Sequence, residues 1–281
     1  METYPARHRD LRDYLVTLDL AHEYAKTATL VPTHDTRTNE VLARHRRLGC
    51  SMTGVVQAIE RHGYRHFFDW CDAAYARVKQ LDGELSQRLQ VPTSIKLTSV
   101  KPSGTVSLLA GATPGVHWEH APYYLRRVRL AASDPLAEAC REAGYAVEDD
   151  VSAPATVVVA FPVHVPHLRR AKHDVPLWEK VDLAAQMQRY WSDNQVSCTA
   201  EFDPERERGE LARVLEAYED RLKALVFLPA ERHGFAQPPF EAIDREEYGR
   251  RTAALRPLRA EIAHVHALEE RFCDATTCEI P

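Results

Sequence analysis

Hydrophobic side chains recur at helical spacing along much of this chain, separated by polar and charged positions. Leu11, Leu15 and Leu18 fall on one face and predict a helix over residues 10–30. Ser51 is expected to cap a later helix at its start. The same periodicity and similar boundary residues predict the other helices over residues 36–47, 51–60, 65–89, 106–112, 135–144, 175–191, 210–225 and 244–270.

Short apolar runs lie between these helices and have the composition of buried strands. The strongest is residues 155–163, "ATVVVAFPV", which is rich in β-branched side chains. Weaker runs predict strands over residues 94–100, 123–131, 194–202 and 226–229. Helices that alternate with buried strands are typical of an α/β fold, in which helical crossovers join parallel strands.

The overall composition is that of a globular protein without a strongly charged surface. Of 281 residues, 44% are hydrophobic, which suffices for one large core or two modest ones, and the net charge is -5. That charge argues against a broad nucleic-acid surface, because such surfaces neutralise phosphates with basic side chains. No apolar run reaches membrane-spanning length, and the first residues lack a signal peptide. We therefore expect a cytoplasmic protein that binds neither nucleic acid nor membrane.

The stretch "TSVKPSGTVSLLAGATPGVH", residues 98–117, combines a predicted strand, a small-residue loop and a helix start. Such a loop can bind an anion, because the first amides of a helix have no internal partners. Gly104 allows a ligand to approach the backbone closely, and Ser103 and Thr105 add hydroxyl groups. The P-loop pattern of nucleotide-binding proteins is absent. An ordinary strand-to-helix turn with a capping serine remains the alternative.

Two of the six cysteines differ from the others in their spacing and position. Cys273 and Cys278 are separated by four residues close to the end of the sequence. They can be unrelated thiols, zinc ligands together with His264 and His266, or a redox dithiol. The zinc alternative fits common ligand spacings poorly, so no metal site is predicted. The other cysteines occur singly and are expected to be small buried thiols: Cys50, Cys71, Cys140 and Cys198.

Several longer strings resemble the adenosylcobalamin-dependent (class II) ribonucleotide reductases. The resemblance is closest to their monomeric branch, which reduces ribonucleoside triphosphates, and it covers nearly the whole chain. It corresponds to about the C-terminal two fifths of a reductase. The matching strings occur in the family's order at residues 30–58, 70–82, 98–117, 123–130, 191–205 and 233–243, followed by the closing Cys-x₄-Cys.

The resemblance implies a fold and a substrate site. Residues 1–243 would form the second half of the ten-stranded α/β barrel of ribonucleotide reductases. Residues 244–281 would form a helical C-terminal segment with a flexible, redox-active cysteine tail. The substrate's phosphates would be bound by the loop residues Pro102, Ser103, Gly104, Thr105, Val106 and Ser107.

The resemblance also implies a role for the terminal cysteines. Cys273 and Cys278 would form a relay pair that reduces an active-site disulfide and is itself reduced by thioredoxin. Reductases of this family commonly have glycines between these cysteines, whereas this chain has Asp-Ala-Thr-Thr. That departure bears on the flexibility of the tail rather than on its chemistry.

One expected motif is missing from the sequence. The family carries its radical cysteine and a glutamate on an Asn-x-Cys-Gly-Glu-like loop, and no such string occurs here. We therefore expect the chain to be inactive without an N-terminal reductase polypeptide that also holds most of the adenosylcobalamin site. A truncated or fragmentary gene product would also lack this loop. The alternative function is a catalytically dead remnant that binds nucleotide phosphates or modulates a complete reductase.

We predict no functional role for several other polar residues near the matching strings. His117 and His120 lie close to the loop in sequence, but histidine on a surface turn is the commoner case. Asn194 and Gln195 are interpreted as the cap of a strand. Five arginines could neutralise a triphosphate but are more commonly solvated: Arg46, Arg47, Arg126, Arg127 and Arg129.

Overall fold

The chain divides into two compact units in a computed structural model that describes residues 1–166, 168–230 and 236–258. Unit one comprises Met1–Trp118 and Lys172–Glu231, and unit two comprises Glu119–Ala171 and Arg232–Pro281. The described strands are β1 (Glu2–Thr3), β2 (Ser51–Met52), β3 (Tyr123–Ala131), β4 (Ala146–Asp149), β5 (Thr156–His164), β6 (Thr199–Phe202), β7 (Val226–Pro229) and β8 (Phe240–Ala242).

Nine α-helices occur in these described ranges. They are α1 (Leu11–Ala28), α2 (Thr36–His45), α3 (Val55–His62), α4 (Tyr64–Leu89), α5 (Val106–Ala110), α6 (Pro135–Glu142), α7 (Leu177–Tyr190), α8 (Leu211–Tyr218) and α9 (Arg245–Ala253). None of the described helices is both long enough and apolar enough to cross a membrane.

Unit one is built on a ladder of parallel extended segments. β1 pairs with β2, and β6 pairs with β7. Parallel bridges Cys50↔Thr98 and Val100↔Val196 connect the segments between these two pairs. β7 lies at one end of the ladder in the described chain, and its Val226 and Leu228 are 57% and 47% exposed. The prediction of parallel strands with helical crossovers is therefore confirmed for this unit.

The long helices α1 and α4 pack against each other beside this ladder. The side chains of Tyr14 and Leu18 on α1 and of Phe67 and Trp70 on α4 share one core and are almost fully buried. Of these, Leu18 lies on the apolar face that the sequence pattern predicts, and Phe68 of the predicted α4 face is buried in the same core. Asp10 caps α1 by accepting a hydrogen bond from the Asp13 amide, so local chemistry fixes where the helix begins.

A buried charged cluster connects α1 with α4. The Lys26 ammonium lies 2.9 Å from the Asp82 carboxylate, and His22 Nε2 lies 3.3 Å from the same oxygen. The Ser94 amide and hydroxyl each donate to Asp82 at 2.8 Å. Burial raises the pKa of Asp82, but these hydrogen bonds outweigh burial and hold it well below its usual value. The cluster stabilises unit one only while Asp82 is ionised.

Unit two contains an antiparallel sheet in the order β4-β5-β3-β8. β3 pairs with β5 along its whole length, with Val128 opposite Val159. The prediction of parallel strands is therefore wrong for residues 123–164. The connection between β4 and β5 spans only residues 150–155, which is too short for the crossover that parallel strands require.

Some predicted boundaries also change in the structure. Ser51 does not cap a helix, because it lies in β2 and its hydroxyl accepts a hydrogen bond from the Lys101 amide. Gly54 precedes α3 instead, with a φ of +68° that suits glycine. The predicted division at residue 243 stays a prediction, and α9, which follows it, packs against β3 and β5 of unit two.

Candidate phosphate-binding site

The predicted loop lies between Val100, which bridges in the parallel ladder, and α5. The amide of its first residue, Lys101, donates to Ser51 Oγ at 3.0 Å. On the other side, a Cβ added at Gly115 would lie only 2.5 Å from the Lys101 carbonyl oxygen. The loop therefore begins from a backbone position held between β2 and the turn around Gly115.

The loop backbone combines one left-handed residue with successive amides that have no protein acceptor in the described part of the chain. Ser103 has a φ of +59°, which is unusual for a residue with a side chain, and its carbonyl accepts the Ser107 amide at 3.0 Å. Within the described residues, the amides of Gly104, Thr105 and Val106 donate to no protein acceptor. Successive free amides beside a left-handed residue can bind phosphate oxygens. A Cβ at Gly104 would meet nothing within 4 Å, so a side chain at this position would have open space around it.

The side chains of the six predicted residues differ in their accessibility. Those of Pro102, Thr105 and Val106 are exposed, as is Gly104. Ser103 is half-buried, and its hydroxyl donates to the Glu2 carboxylate. Ser107 is fully buried, and its hydroxyl has no partner among the described residues. The six predicted residues thus lie in one loop that leads into α5. The role of this loop in phosphate binding stays a prediction.

The turn that follows α5 is anchored to neighbouring elements of unit one. The Thr113 carbonyl accepts the Gly54 amide at 2.8 Å and the Thr53 hydroxyl at 3.0 Å. Arg7 donates to the Ala110 carbonyl at 2.5 Å. These contacts keep α5 and its turn beside the start of α3, so the loop is fixed at both of its ends.

The arginines of β3 have structural partners inside unit two. Arg127 pairs with Glu241, and Arg129 lies 2.5 Å from Asp150. Arg126 stacks over the Phe240 ring at 4.4 Å. Arg129 also donates to the Gln237 carbonyl, so the three side chains hold residues 237–241 against the sheet and are bound to protein groups, unlike the solvated arginines that are the commoner case.

Arg46 and Asn194 also make structural contacts. Arg46 donates to the Thr29 carbonyl. Asn194 Nδ2 donates to the carbonyls of Leu48 at 2.9 Å and Thr98 at 2.7 Å, as expected for the cap of a strand. His117, by contrast, is not a surface residue without contacts, because Thr199 donates its amide to the imidazole. The sequence signals only that His117 lies near the loop.

The described cysteines are buried free thiols, as predicted: Cys50, Cys71, Cys140 and Cys198. Burial raises the pKa of Cys50 to about 11 and that of Cys198 to about 12, so both stay protonated. Cys50 lies at the parallel ladder and not in a helix. The described ranges contain no group of three or more metal-ligating side chains. Cys273 and Cys278 lie outside the described residues.

Sequence comparison finds close relatives along nearly the whole chain, although no family model matches it. The chain is 42% identical to a probable adenosylcobalamin-dependent ribonucleoside-triphosphate reductase of Dictyostelium discoideum, over 100% of this chain and 38% of the relative. It is 43% identical to the reductase of that name in Euglena gracilis, over 99% of this chain and 39% of the relative. A relative in Lacticaseibacillus paracasei is 32% identical over 93% of this chain.

Structural comparison agrees with these relatives. The chain superposes on a crystal structure of a B12-dependent (class II) ribonucleotide reductase with a TM-score of 0.83 and 30% identity. That match covers 93% of this chain and 40% of the reductase, so the fold is part of the α/β barrel of a ribonucleotide reductase, as predicted. The chain belongs to the adenosylcobalamin-dependent ribonucleoside-triphosphate reductases and spans about two fifths of the length of its curated relatives.

Proposed function

We propose that this chain is the C-terminal part of a thioredoxin-dependent ribonucleoside-triphosphate reductase that makes 2′-deoxyribonucleotides for DNA synthesis. In this role, the loop from Pro102 to Ser107 binds the phosphates of the substrate. The observation that carries the proposal is the run of amides without protein acceptors among the described residues at Gly104, Thr105 and Val106, together with the open space on the Cβ side of Gly104. The identity to named reductases supports the class of substrate.

The phosphate-binding role predicts a specific sensitivity at Gly104. Gly104→Asp should weaken the binding of inorganic tripolyphosphate by about tenfold or more, because its carboxylate would repel the bound anion. The open space at this position accepts the side chain without a clash. Isothermal titration of the purified chain measures the effect, and tripolyphosphate makes it independent of the nucleotide base.

Gly209→Asp is the matched control. Gly209 also has open space around it and lies in the same unit, so the substitution adds the same charge away from the loop. It should leave tripolyphosphate affinity within about twofold of wild type. Equal weakening by both substitutions, or no binding by the wild-type chain, would exclude the loop as the phosphate site.

The cofactor of the proposed reaction is adenosylcobalamin, which supplies radical chemistry when it is bound. The resemblance to longer reductases assigns most of the cofactor site to the part of the reductase that this chain does not span, so we derive no step through the cofactor.

The proposed electron source is the cysteine pair near the end of the sequence. In the overall reaction, the 2′-hydroxyl leaves as water, hydrogen takes its place, and a dithiol becomes a disulfide. Cys273 and Cys278 would re-reduce the active-site disulfide and then be reduced by thioredoxin. Free thiols at the described cysteines fit the reducing cytoplasm, where we place the enzyme.

The proposed partner is an N-terminal reductase polypeptide. The purified chain with adenosylcobalamin, a ribonucleoside triphosphate and a dithiol should form no deoxynucleotide, because the Asn-x-Cys-Gly-Glu-like loop is absent from its sequence. Product analysis by chromatography measures this, and turnover by the chain alone would contradict the proposal.

The same missing loop favours one alternative, a catalytically dead remnant that binds nucleotide phosphates or modulates a complete reductase. The two functions differ in what a complementing polypeptide does. A neighbouring reading frame that encodes the missing loop, and whose product restores turnover, supports the split enzyme. A remnant would bind tripolyphosphate but remain inactive with any such polypeptide.

A further inference from the structure

His117 connects the turn beside the phosphate loop to strand β6. Its Nδ1 lies 3.0 Å from the Pro114 carbonyl oxygen, and its Nε2 lies 3.0 Å from the Thr199 amide nitrogen. A backbone amide can only donate, so Nε2 must be the unprotonated nitrogen and Nδ1 must carry the hydrogen. The two contacts therefore select one neutral tautomer. Burial lowers the pKa of His117, which keeps the ring neutral at pH 7.

The same turn contacts the first residue of the loop. Gly115 has a φ of +51° and approaches the Lys101 carbonyl so closely that a Cβ would lie 2.5 Å from it. Its amide donates to Thr53 Oγ1 at 3.2 Å, and its carbonyl accepts the Val55 amide at 3.2 Å. A continuous series of contacts thus runs from β6 through His117 and the turn to Lys101.

We propose that His117 is a positioning residue that fixes the phosphate-binding loop relative to β6 through its Nε2 acceptor. The inference rests on the proposed function, in which this loop binds the substrate's phosphates. Without the acceptor, the Thr199 amide loses its partner, and the turn that supports Lys101 loses this hydrogen bond to β6. The free amides of the loop would then be less well ordered for a phosphate group.

The tautomer gives a test that does not depend on ligand binding. A long-range ¹H–¹⁵N spectrum of the labelled full chain should show one histidine protonated at Nδ1 and unprotonated at Nε2 at neutral pH. His117→Gln should remove that signal, whereas His34→Gln, at an exposed histidine, should remove a different one. A His117 signal with the hydrogen on Nε2 would overturn the proposal, whatever the loop binds.

Two substitutions separate the two hydrogen bonds. In His117→Asn the amide nitrogen can still donate to Pro114, but nothing reaches Thr199. In His117→Gln the longer side chain can place an oxygen near the position of Nε2. We expect tripolyphosphate binding to weaken about tenfold in the Asn variant and to stay within about threefold of wild type in the Gln variant.

The outcomes distinguish this inference from the function on which it rests. If wild type binds tripolyphosphate and the Asn and Gln variants bind equally, the positioning role of Nε2 is wrong while the proposed function stands. If wild type shows the Nδ1–H tautomer but binds no tripolyphosphate, the phosphate-binding role is wrong, and with it the link to substrate. Weakening confined to the Asn variant supports both.

Discussion

Asp82→Asn is expected to lower the free energy of unfolding by about 3–5 kcal/mol, the usual cost of removing one member of a buried ion pair. Asp82 and Lys26 are 2% and 0% exposed, so solvent does not screen the pair. The neutral amide leaves the Lys26 ammonium buried without a counter-charge. Denaturant unfolding monitored by circular dichroism measures the loss. Asp72→Asn, at an exposed position of the same helix, is the matched control and should change stability by less than about 0.5 kcal/mol.

The same cluster predicts the direction of the pH dependence. The pKa of Asp82 is lower in the folded chain than in the unfolded chain, so its contribution to stability is complete above the unfolded value of about 4. That contribution is lost as the pH falls below about 4, because the unfolded chain then binds the proton more readily. Wild type should therefore lose more stability between pH 5 and pH 3 than Asp82→Asn does. Parallel losses in the two proteins would contradict this assignment of the cluster.

Cys273→Ser should abolish turnover driven by thioredoxin in the reductase reconstituted with its N-terminal polypeptide. A single remaining thiol cannot form the intramolecular disulfide that the proposed relay requires. A small dithiol that reaches the active site directly should still support turnover. Deoxynucleotide formation with each reductant measures the difference.

Thr277→Ser is the control for that experiment, because it changes the same short segment and leaves both thiols in place. Its activity should match wild type with either reductant. If Cys273→Ser loses activity equally with thioredoxin and with the small dithiol, the cysteine pair acts at the active site and is not a relay.

The sequence predicts helices well where their signals are local. α1 and α4 follow directly from apolar periodicity, and α6 begins after Asp134, whose side chain accepts the Leu136 amide as a cap should. Ser51 shows the limit of such reasoning. Its type and position suit a helix cap, but pairing with β1 and the Lys101 amide determines its structure. Long-range pairing of this kind leaves no periodic signal in the sequence.

For the same reason, the sequence does not reveal whether neighbouring strands run parallel or antiparallel. The "ATVVVAFPV" run identifies β5 correctly, yet nothing within it tells whether its neighbours run parallel or antiparallel. In unit two the short link to β4 decides the matter, and in unit one the long helical segments favour parallel pairing.

The candidate site shows the same contrast between local signals, which the sequence reveals, and long-range contacts, which it does not. The loop residues are contiguous, so small side chains between a strand and a helix suffice to identify them. The groups that support the loop are Glu2, Gly115 and the His117–Thr199 contact, which come from distant positions. Only the folded chain shows that they converge on it.

The exposed end of the parallel ladder has a consequence for how the enzyme would be produced. β7 presents Val226 and Leu228 at a strand with no neighbour on its outer side in the described chain. Such an edge can pair with a strand of another chain, including a further copy of this one. If a second polypeptide completes the reductase, as proposed above, an excess of this chain is expected to aggregate, and the two are best synthesised in matched amounts. Recombinant preparations should behave better when both are expressed together.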